Sequence, residues 1–294
     1  MKQSLSYYLT KIVIKLKGIK KTFSQDPIDF KKIRNEDIHF PKSRFFKKYS
    51  KKFQIENTII TEVKTNNATN KLVLFIHGGA FISGPVKHHW DTIKTIARNG
   101  NCVVWMCDYP KAPEYKIKEI SKNIDAVYHQ AMQAYKPSQI TLLGDSVGGT
   151  LITALTQRLL TQKIALPQKL ILICPVMDAT MQNPEIETLD EIDPILSKVG
   201  VLSAKKMCVG EKGLNNPIIS PLHGSFTGFP KTILCVADHD IMYPDQLITI
   251  DKMKQSEVPL TIIKGENMPH IWPLLPVMKE AKNTLQELIS HLNK

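Results

Sequence analysis

The sequence lacks any long, uninterrupted apolar run. No apolar stretch among its 294 residues approaches the roughly 20 residues that a membrane-spanning helix needs. The opening stretch, MKQSLSYYLTKIVIKLKGIKK, carries lysines through its apolar part and has no small-residue cleavage site typical of a secretory signal. We therefore expect neither a membrane-spanning helix nor a cleaved secretory signal.

Paired cysteines are absent as well. The five cysteines, an odd number without a CxxC pair, are Cys102, Cys107, Cys174, Cys208 and Cys235. Four of them lie in or beside apolar runs such as CVVWMC and LILICPV, where a cysteine is usually a small buried hydrophobe. This usage predicts reduced thiols and a cytoplasmic protein.

Negative charge is scarce in only one part of the chain. The formal net charge is +12, but residues 1–64 hold 16 Lys and Arg against 6 Asp and Glu, which leaves the remaining 230 residues near neutral at +2. The basicity therefore belongs to an N-terminal segment. No DNA- or RNA-binding motif accompanies it, so we predict no nucleic-acid partner.

The N-terminal segment has the pattern of an amphipathic helix. One face of such a helix gathers the apolar side chains Leu5, Tyr8, Leu9, Ile12, Leu16 and Ile19, and the lysines lie elsewhere. One interpretation is a helix packed over the main domain. The other is a peripheral contact with a membrane surface.

The body of the chain alternates between apolar strands and helices. Buried strands are predicted at 71–79, 101–109, 139–146, 168–176, 231–240 and 259–265, with one or two edge strands within 53–63. Helical patterns at 90–100, 116–135, 147–162 and 275–292 separate or follow them. This order predicts an α/β fold, a mostly parallel central sheet with helices on both faces.

One stretch interrupts the alternation. Residues 177–230 follow the fourth long strand and have the pattern of loops and short helices. We therefore predict a catalytic domain at 53–294 with a helical cap inserted at about 177–230, and a basic N-terminal segment at 1–52 that forms part of the cap. Since parallel strands end at one edge of a sheet, the insertion is expected above that edge.

A serine lies among glycines where a strand gives way to a helix. GDSVG at 144–148 is G-x-S-x-G in its required context of strand, turn and helix. A sharp turn there exposes the hydroxyl of Ser146 at a helix N-terminus, whose dipole favours developing negative charge. Ser146 is therefore the candidate nucleophile.

A serine nucleophile needs a base, an orienting carboxylate and donors for an oxyanion. Asp240 ends the fifth long strand, His270 follows the sixth, and the glycine-rich HGGAF (77–81) follows the first. The chain order Ser146, Asp240, His270 is one of the orders in which such triads occur. Since side chains of adjacent residues diverge, His88 and His89 predict no metal site.

Three motifs carry a resemblance to a known family from about residue 71 to the end. HGGAF resembles the HGGG loop, DYPKAPEY (108–115) the YRLAPE stretch, and GDSVGG the GDSAGG elbow of the hormone-sensitive-lipase-like esterases, a branch of the α/β-hydrolases. The resemblance implies an α/β-hydrolase fold. It also implies Ser146 as the nucleophile and His270 as the base.

The resemblance also assigns the remaining site residues. The backbone amides of Gly79, Ala80 and Val147 would bind the oxyanion, with Gly78 allowing their approach. The family usually has Asp-Pro-Leu at the acid, whereas this chain has ADHDIMYPD, with Ile241 in place of the proline. Alignment favours Asp240 as the acid and leaves Asp238 as its rival.

The combined pattern predicts a serine carboxylesterase that cleaves short- to medium-chain acyl esters through an acyl-serine intermediate. It needs no metal or organic cofactor. Two alternatives stay open at this point. An amidase or arylformamidase would use the same triad, and a non-catalytic member of the fold would use the pocket only to bind a ligand.

Overall fold

The computed structural model describes residues 3–209 and 213–293. Eight strands form one sheet: β1 (Ser50–Ile55), β2 (Thr58–Val63), β3 (Leu72–Ile76), β4 (Val103–Asp108), β5 (Ile140–Asp145), β6 (Lys169–Ile173), β7 (Lys231–Ala237) and β8 (Leu260–Gly265). Their order across the sheet is β1-β2-β4-β3-β5-β6-β7-β8. The pairings β1–β2 and β2–β4 are antiparallel, and all others are parallel. The predicted α/β fold with a mostly parallel sheet is thus confirmed.

Eleven α-helices are found in the described residues: α1 (Leu5–Leu16), α2 (Ile19–Thr22), α3 (Phe30–Ile33), α4 (Arg44–Tyr49), α5 (Lys87–Asn99), α6 (Ile117–Ala134), α7 (Val147–Thr161), α8 (Glu185–Ile192), α9 (Lys198–Val209), α10 (Tyr243–Gln255) and α11 (Lys279–Asn293). Two apolar clusters, one on each face of the sheet, make up the core. Strands β3 to β6 are buried along their whole length because helices cover both faces. No helix within 3–209 or 213–293 is long and apolar enough to cross a membrane.

The N-terminal helix does not dock by the face that its sequence suggests. Leu5 and Leu16 are 83% and 81% exposed, and Ile12 is 54% exposed, whereas Tyr7 and Ile14 are buried. Helix α1 therefore packs on the domain, as one of the two interpretations has it, but by a face other than the apolar one that the sequence pattern shows.

Hydrogen bonds to two distant residues hold α1 in its orientation. The backbone N–H and the hydroxyl of Ser4 donate to the carboxylate of Glu280 on α11, at 2.7 and 2.8 Å. The Tyr7 hydroxyl donates to the carbonyl oxygen of Asn267 at 2.7 Å. These bonds fix the orientation of α1, and apolar periodicity cannot reveal them.

The segment after α1 contacts the helices that follow β6. The Ile28 N–H donates to the Ser203 hydroxyl of α9 at 3.0 Å. A Cβ on Gly200 would lie 1.8 Å from the carbonyl oxygen of Phe23, so only glycine permits this approach of the two backbones. The Lys20 ammonium donates to the Asp190 carbonyl oxygen and lies 3.6 Å from the Asp190 carboxylate. Residues 20–28 thus pack against α8 and α9.

Candidate active site

Ser146 sits on a strained turn between β5 and α7. Its backbone has φ 52° and ψ −124°, a conformation that a non-glycine residue rarely adopts. A Cβ on Gly148 would lie 1.9 Å from the Ile76 carbonyl oxygen, and one on Gly144 would lie 2.5 Å from the Gly148 carbonyl carbon. The two glycines of the motif are therefore required by close backbone packing around the turn.

His270 and Asp240 form a buried hydrogen-bonded pair. The Nδ1 of His270 lies 2.7 Å from Oδ2 of Asp240, and the two residues are 3% and 0% exposed. A carboxylate accepts only, so Nδ1 carries the proton and Nε2 has the lone pair in the neutral ring. Such an imidazole is oriented to take a proton at Nε2.

Opposing effects act on the pKa of His270. Burial works to lower this pKa, but the Asp240 carboxylate, through its charge and its hydrogen bond, outweighs burial, with smaller contributions from Asp193 and Asp145. The net pKa of His270 is raised above its ordinary value of 6.5. The site thus stabilises the protonated ring that a general base forms.

Asp238 has other partners. Its Oδ1 accepts the backbone N–H of Asn267 at 2.6 Å, and its Oδ2 lies 3.9 Å from the Lys264 ammonium. It is bonded to the loop that carries His270, rather than to the imidazole. The geometry therefore favours Asp240 over this rival.

The HGGAF loop is fixed to the serine turn. The N–H of Gly78 donates to Oδ1 of Asp145 at 3.0 Å, and a Cβ on Gly78 would lie 3.0 Å from the Ser146 Cβ. Gly79 and Ala80 follow with φ 116° and 55°. Within the described ranges, neither the Gly79 nor the Ala80 N–H donates to another protein group. Among the described residues, the amides of Gly79 and Ala80 thus have no protein partner. Both follow Gly78, which its bond to Asp145 holds beside Ser146.

The expectation that His88 and His89 diverge is wrong. Their Nε2 atoms lie 3.1 Å apart, and His89 Nε2 lies 3.3 Å from Oδ2 of Asp145. One donor atom each from His88, His89 and Asp145 lies within 4.8 Å of the other two. Burial is the largest cause that lowers the pKa of His88, and the neighbouring His89 is the second. This pKa falls to about 3, so His88 is neutral at pH 7.

The tautomer of His89 decides what this cluster does. The Val86 N–H donates to His89 Nδ1 at 3.0 Å, which makes Nδ1 the acceptor. The proton of the neutral ring is then on Nε2, which lacks a lone pair for a metal and donates toward Asp145 instead. His89 therefore orients Asp145, and Asp145 in turn holds Gly78.

Cys174 is a site residue that sequence reasoning did not single out. Its Sγ and donor atoms of Asp240 and His270 all lie within 4.8 Å of one another. Burial raises the pKa of its thiol well above the ordinary value, and the Asp240 carboxylate acts in the same direction. Cys174 is thus a neutral, uncharged neighbour of the pair, consistent with the expectation of a reduced, buried thiol.

Within the residues that the structure describes, no hydrogen bond joins Ser146 to His270. Ser146 is held through its backbone, with its N–H donating to the Ile173 carbonyl oxygen at 2.9 Å. Asp145, the neighbour of Ser146, is close enough to His270 to act on its pKa. Ser146 is 9% exposed and His270 is 3% exposed, so both residues have little access to solvent.

Comparison with known proteins identifies the fold family. Residues 73–274 match the family model for the alpha/beta hydrolase fold. An esterase of Acinetobacter venetianus is 32% identical over 200 residues, which span 67% of this chain and 66% of that esterase.

Solved structures extend the likeness to the whole fold. The crystal structure of EstE5 soaked with p-nitrophenyl butyrate has a TM-score of 0.89 at 21% identity, over 99% of this chain and 98% of that one. An esterase of the bacterial hormone-sensitive lipase family has a TM-score of 0.86 at 23% identity, over 100% and 99%. With the eight-stranded sheet and the family match over more than half of its length, the chain belongs to the α/β-hydrolase family, within which its motifs resemble the hormone-sensitive-lipase-like esterases.

Proposed function

We propose that this protein is a carboxylic ester hydrolase that cleaves short- to medium-chain acyl esters through an acyl-enzyme on Ser146. The bond between His270 and Asp240, at the edge of the sheet where the strained Ser146 turn lies, is the observation that carries the proposal. The Acinetobacter relative is named an esterase, which supports the same reaction class. Ser146 is the nucleophile, His270 the general base and Asp240 the orienting acid.

The reaction proceeds in two halves. His270 Nε2 takes the hydroxyl proton as Ser146 Oγ bonds to the ester carbon, and the carbonyl electrons move onto oxygen. The intermediate collapses, and the leaving alkoxide takes the proton from His270. Water then gives a proton to His270 and bonds to the acyl carbon. As this second intermediate collapses, the bond to Ser146 Oγ breaks and Oγ takes the proton from His270, which releases the acid and restores the serine.

Each half needs Ser146 Oγ within hydrogen-bond reach of His270 Nε2. Such bonds are often long without substrate and tighten in the complex, so a small side-chain rotation of Ser146 is part of the proposal. The oxyanion is bound by the backbone amides of Gly79, Ala80 and Val147. The N–H of Val147 is at the first position of α7, where no intrahelical acceptor exists.

Limited space favours small acyl groups. Ser146 and His270 are both largely buried, and Phe81, in the HGGAF loop, is fully buried. We assign residues 177–230 and the N-terminal segment 1–52 to a cap over this site, supported by the contacts of Phe23 and Ile28 with α9. Rates on p-nitrophenyl esters of increasing length should be highest for acetate or butyrate. A p-nitroanilide of the same acyl group measures the amidase alternative.

A fluorophosphonate probe tests the nucleophile. The wild-type protein should be labelled at Ser146, and Ser146→Ala should lose both labelling and hydrolysis, by on the order of 10³-fold or more in kcat. Ser83→Ala is a matched control, since Ser83 lies in the HGGAF region and donates only to Gly79. Labelling elsewhere, or full activity in Ser146→Ala, contradicts the proposal. A fold member that only binds ligands gives no labelling at all.

We further propose a cytoplasmic protein whose α1 helix contacts anionic membrane surfaces. All five cysteines are free and buried, as suits a reducing compartment. Six of the thirteen large hydrophobic side chains that are exposed in the described residues belong to the 12-residue helix α1. No acidic residue precedes Asp26, whereas Lys15, Lys17 and Lys21 are exposed. An apolar face rimmed by lysines complements an anionic lipid surface.

Point substitutions test this contact better than truncation, because removal of α1 would also delete the bonds of Ser4 and Tyr7. Leu9→Ser with Leu16→Ser should lower recovery with vesicles of phosphatidylcholine and phosphatidylserine. The exposed Val277→Ser, outside α1, should leave recovery unchanged. Equal recovery of the double variant and the wild type contradicts the contact, as does equal binding to pure phosphatidylcholine.

A further inference from the structure

Asp193 is a buried carboxylate to which the reaction steps above assign no role. It follows α8 directly and is 1% exposed. Its Oδ1 accepts the N–H groups of Ile195 and Leu196 at 2.8 and 2.9 Å. Its Oδ2 reaches another part of the chain and accepts the N–H of Ile241 at 3.0 Å. A carboxylate from the segment after β6 thus holds the backbone next to Asp240.

The Ile241 amide belongs to the turn that directs Asp240 toward His270. The Tyr243 N–H donates to the Asp240 carbonyl oxygen at 2.9 Å, which closes a four-residue turn with Ile241 at its second position. Within the turn, Oδ1 of Asp240 accepts the N–H of Met242 at 2.9 Å. The orientation of the Asp240 carboxylate therefore depends on the conformation of this turn.

Proline is favoured at the second position of such a turn because its ring fixes φ near about −65°. It also has no N–H. The family motif has proline at this position, whereas this chain has Ile241, whose φ is not fixed by a ring and whose N–H is available. That N–H is the one that binds Asp193.

We propose that Asp193 is a positioning residue: through the Ile241 amide it fixes the turn that orients Asp240, as a proline at position 241 otherwise would, and it adds a second negative charge near His270. The inference rests on the proposed role of Asp240 and His270 in ester hydrolysis. It also implies that the segment between α8 and α9 is coupled to the catalytic pair.

The charged groups around Asp193 come from three parts of the chain. Asp240 and His270 lie on the sheet side. Asp190 lies one turn earlier on α8, and the Lys20 ammonium of α2 donates to the Asp193 carbonyl oxygen at 3.0 Å. Burial, and next the Asp240 carboxylate, raise the pKa of Asp193 to about 7.

His270 is acted on by Asp240, Asp193 and Asp145, which raise its pKa, and it also faces His88. With a pKa of about 7, Asp193 is partly ionised over the pH range of this limb, so removal of its charge should lower the pKa of His270 to a limited extent. The acid limb of kcat/KM, which reports the base of the free enzyme, should then move to lower pH. A residue that only stabilised the fold would leave this limb in place.

The experiment compares Asp193→Asn, Ile241→Pro and the double variant in the full chain, with p-nitrophenyl butyrate. Asp193→Asn should lower kcat about tenfold with KM within about twofold, and should move the acid limb down by roughly half a pH unit. The Ile241→Pro variant has no N–H at position 241 for Asp193 to bind. Addition of Asp193→Asn to that variant should therefore lower kcat at most about twofold.

Two further variants keep the outcome interpretable. Asp193→Glu keeps the carboxylate charge, so the acid limb of its pH profile should match that of the wild type even if kcat falls. This variant tests the role of the carboxylate if Asp193→Asn does not fold. Asp190→Asn changes a carboxylate at the end of α8, one turn before Asp193, that does not bind Ile241, and it should alter neither kcat nor the acid limb.

The inference is overturned if Asp193→Asn lowers kcat equally in the wild type and in Ile241→Pro, or if it leaves the acid limb of kcat/KM in place. These outcomes differ from failure of the proposed function, which Ser146→Ala reports separately. If Ser146→Ala is inactive and Asp193→Asn behaves as the wild type in kcat and pH profile, only the role of Asp193 is rejected.

Discussion

The N–H of Gly78 donates a 3.0 Å hydrogen bond to Oδ1 of Asp145, the residue immediately before Ser146. The other oxygen of this buried carboxylate faces His89 Nε2 at 3.3 Å. Burial works to raise the pKa of Asp145, but the neighbouring His89 and the amide of Gly78 outweigh it, and the pKa is lowered. An ionised Asp145 therefore connects the serine turn to the glycine-rich loop.

Asp145→Ala should weaken the oxyanion site without removing any of its amides. The Gly79–Ala80 segment loses its anchor, so we expect kcat to fall about 10- to 100-fold while KM changes much less. Steady-state kinetics on p-nitrophenyl butyrate measure the split. Asp91→Ala is a suitable control, since Asp91 only pairs with Lys87 on the surface of α5. A loss confined to KM would argue against an anchoring role.

Asp240→Asn should abolish most of the activity while the fold remains. The amide has one acceptor oxygen and donates from its nitrogen, so it supports the wrong imidazole tautomer, and a loss on the order of 10³- to 10⁴-fold in kcat is expected. Asp238→Asn should stay within about threefold of the wild type because its carboxylate bonds to the Asn267 amide. The reverse ranking would identify Asp238 as the acid.

The pH profile should show the raised pKa of His270. Hydrolysis needs the neutral imidazole, so activity should rise with pH through an apparent pKa above 6.5 in kcat/KM. The sign follows from the Asp240 charge, which stabilises the protonated ring and delays its deprotonation. Rates on p-nitrophenyl acetate from pH 5 to 9, corrected for spontaneous hydrolysis, give this value. An acid limb centred below 6 would contradict the prediction.

Gly148→Ala should destabilise the protein because its Cβ would overlap the Ile76 backbone oxygen of β3. Backbone atoms of a central strand cannot move aside cheaply, and a loss of about 3 kcal/mol or more in the free energy of unfolding is expected. Gly18→Ala meets no atom within 4 Å and should lose only about 1 kcal/mol, from its φ of 60°. Urea unfolding compares the two. Equal losses would show that the packing around Gly148 relaxes to accept a Cβ and does not require glycine.

The local sequence determined the layered fold and the serine turn. The runs that became β3 to β7 are continuously apolar because helices cover both faces of the sheet, and apolar content is visible without knowing any contact. GDSVG can be recognised from its own five residues, although the need for glycine at Gly148 comes from the distant Ile76 carbonyl oxygen of β3. Ser146 and His270 could therefore be named as candidates from strand ends and chain order, and the family resemblance favoured Asp240 over Asp238.

Contacts between distant segments were decided only by the tertiary structure. The docking face of α1 depends on Ser4 with Glu280 and on Tyr7 with Asn267, not on its apolar stripe. His88 and His89 converge beside the buried carboxylate of Asp145, which follows His89 by 56 residues. Asp193 reaches a turn 48 residues away, as its bond to Ile241 records. Hydrogen bonds between remote residues leave no periodicity in a sequence, because they depend on where folding brings each side chain rather than on its neighbours.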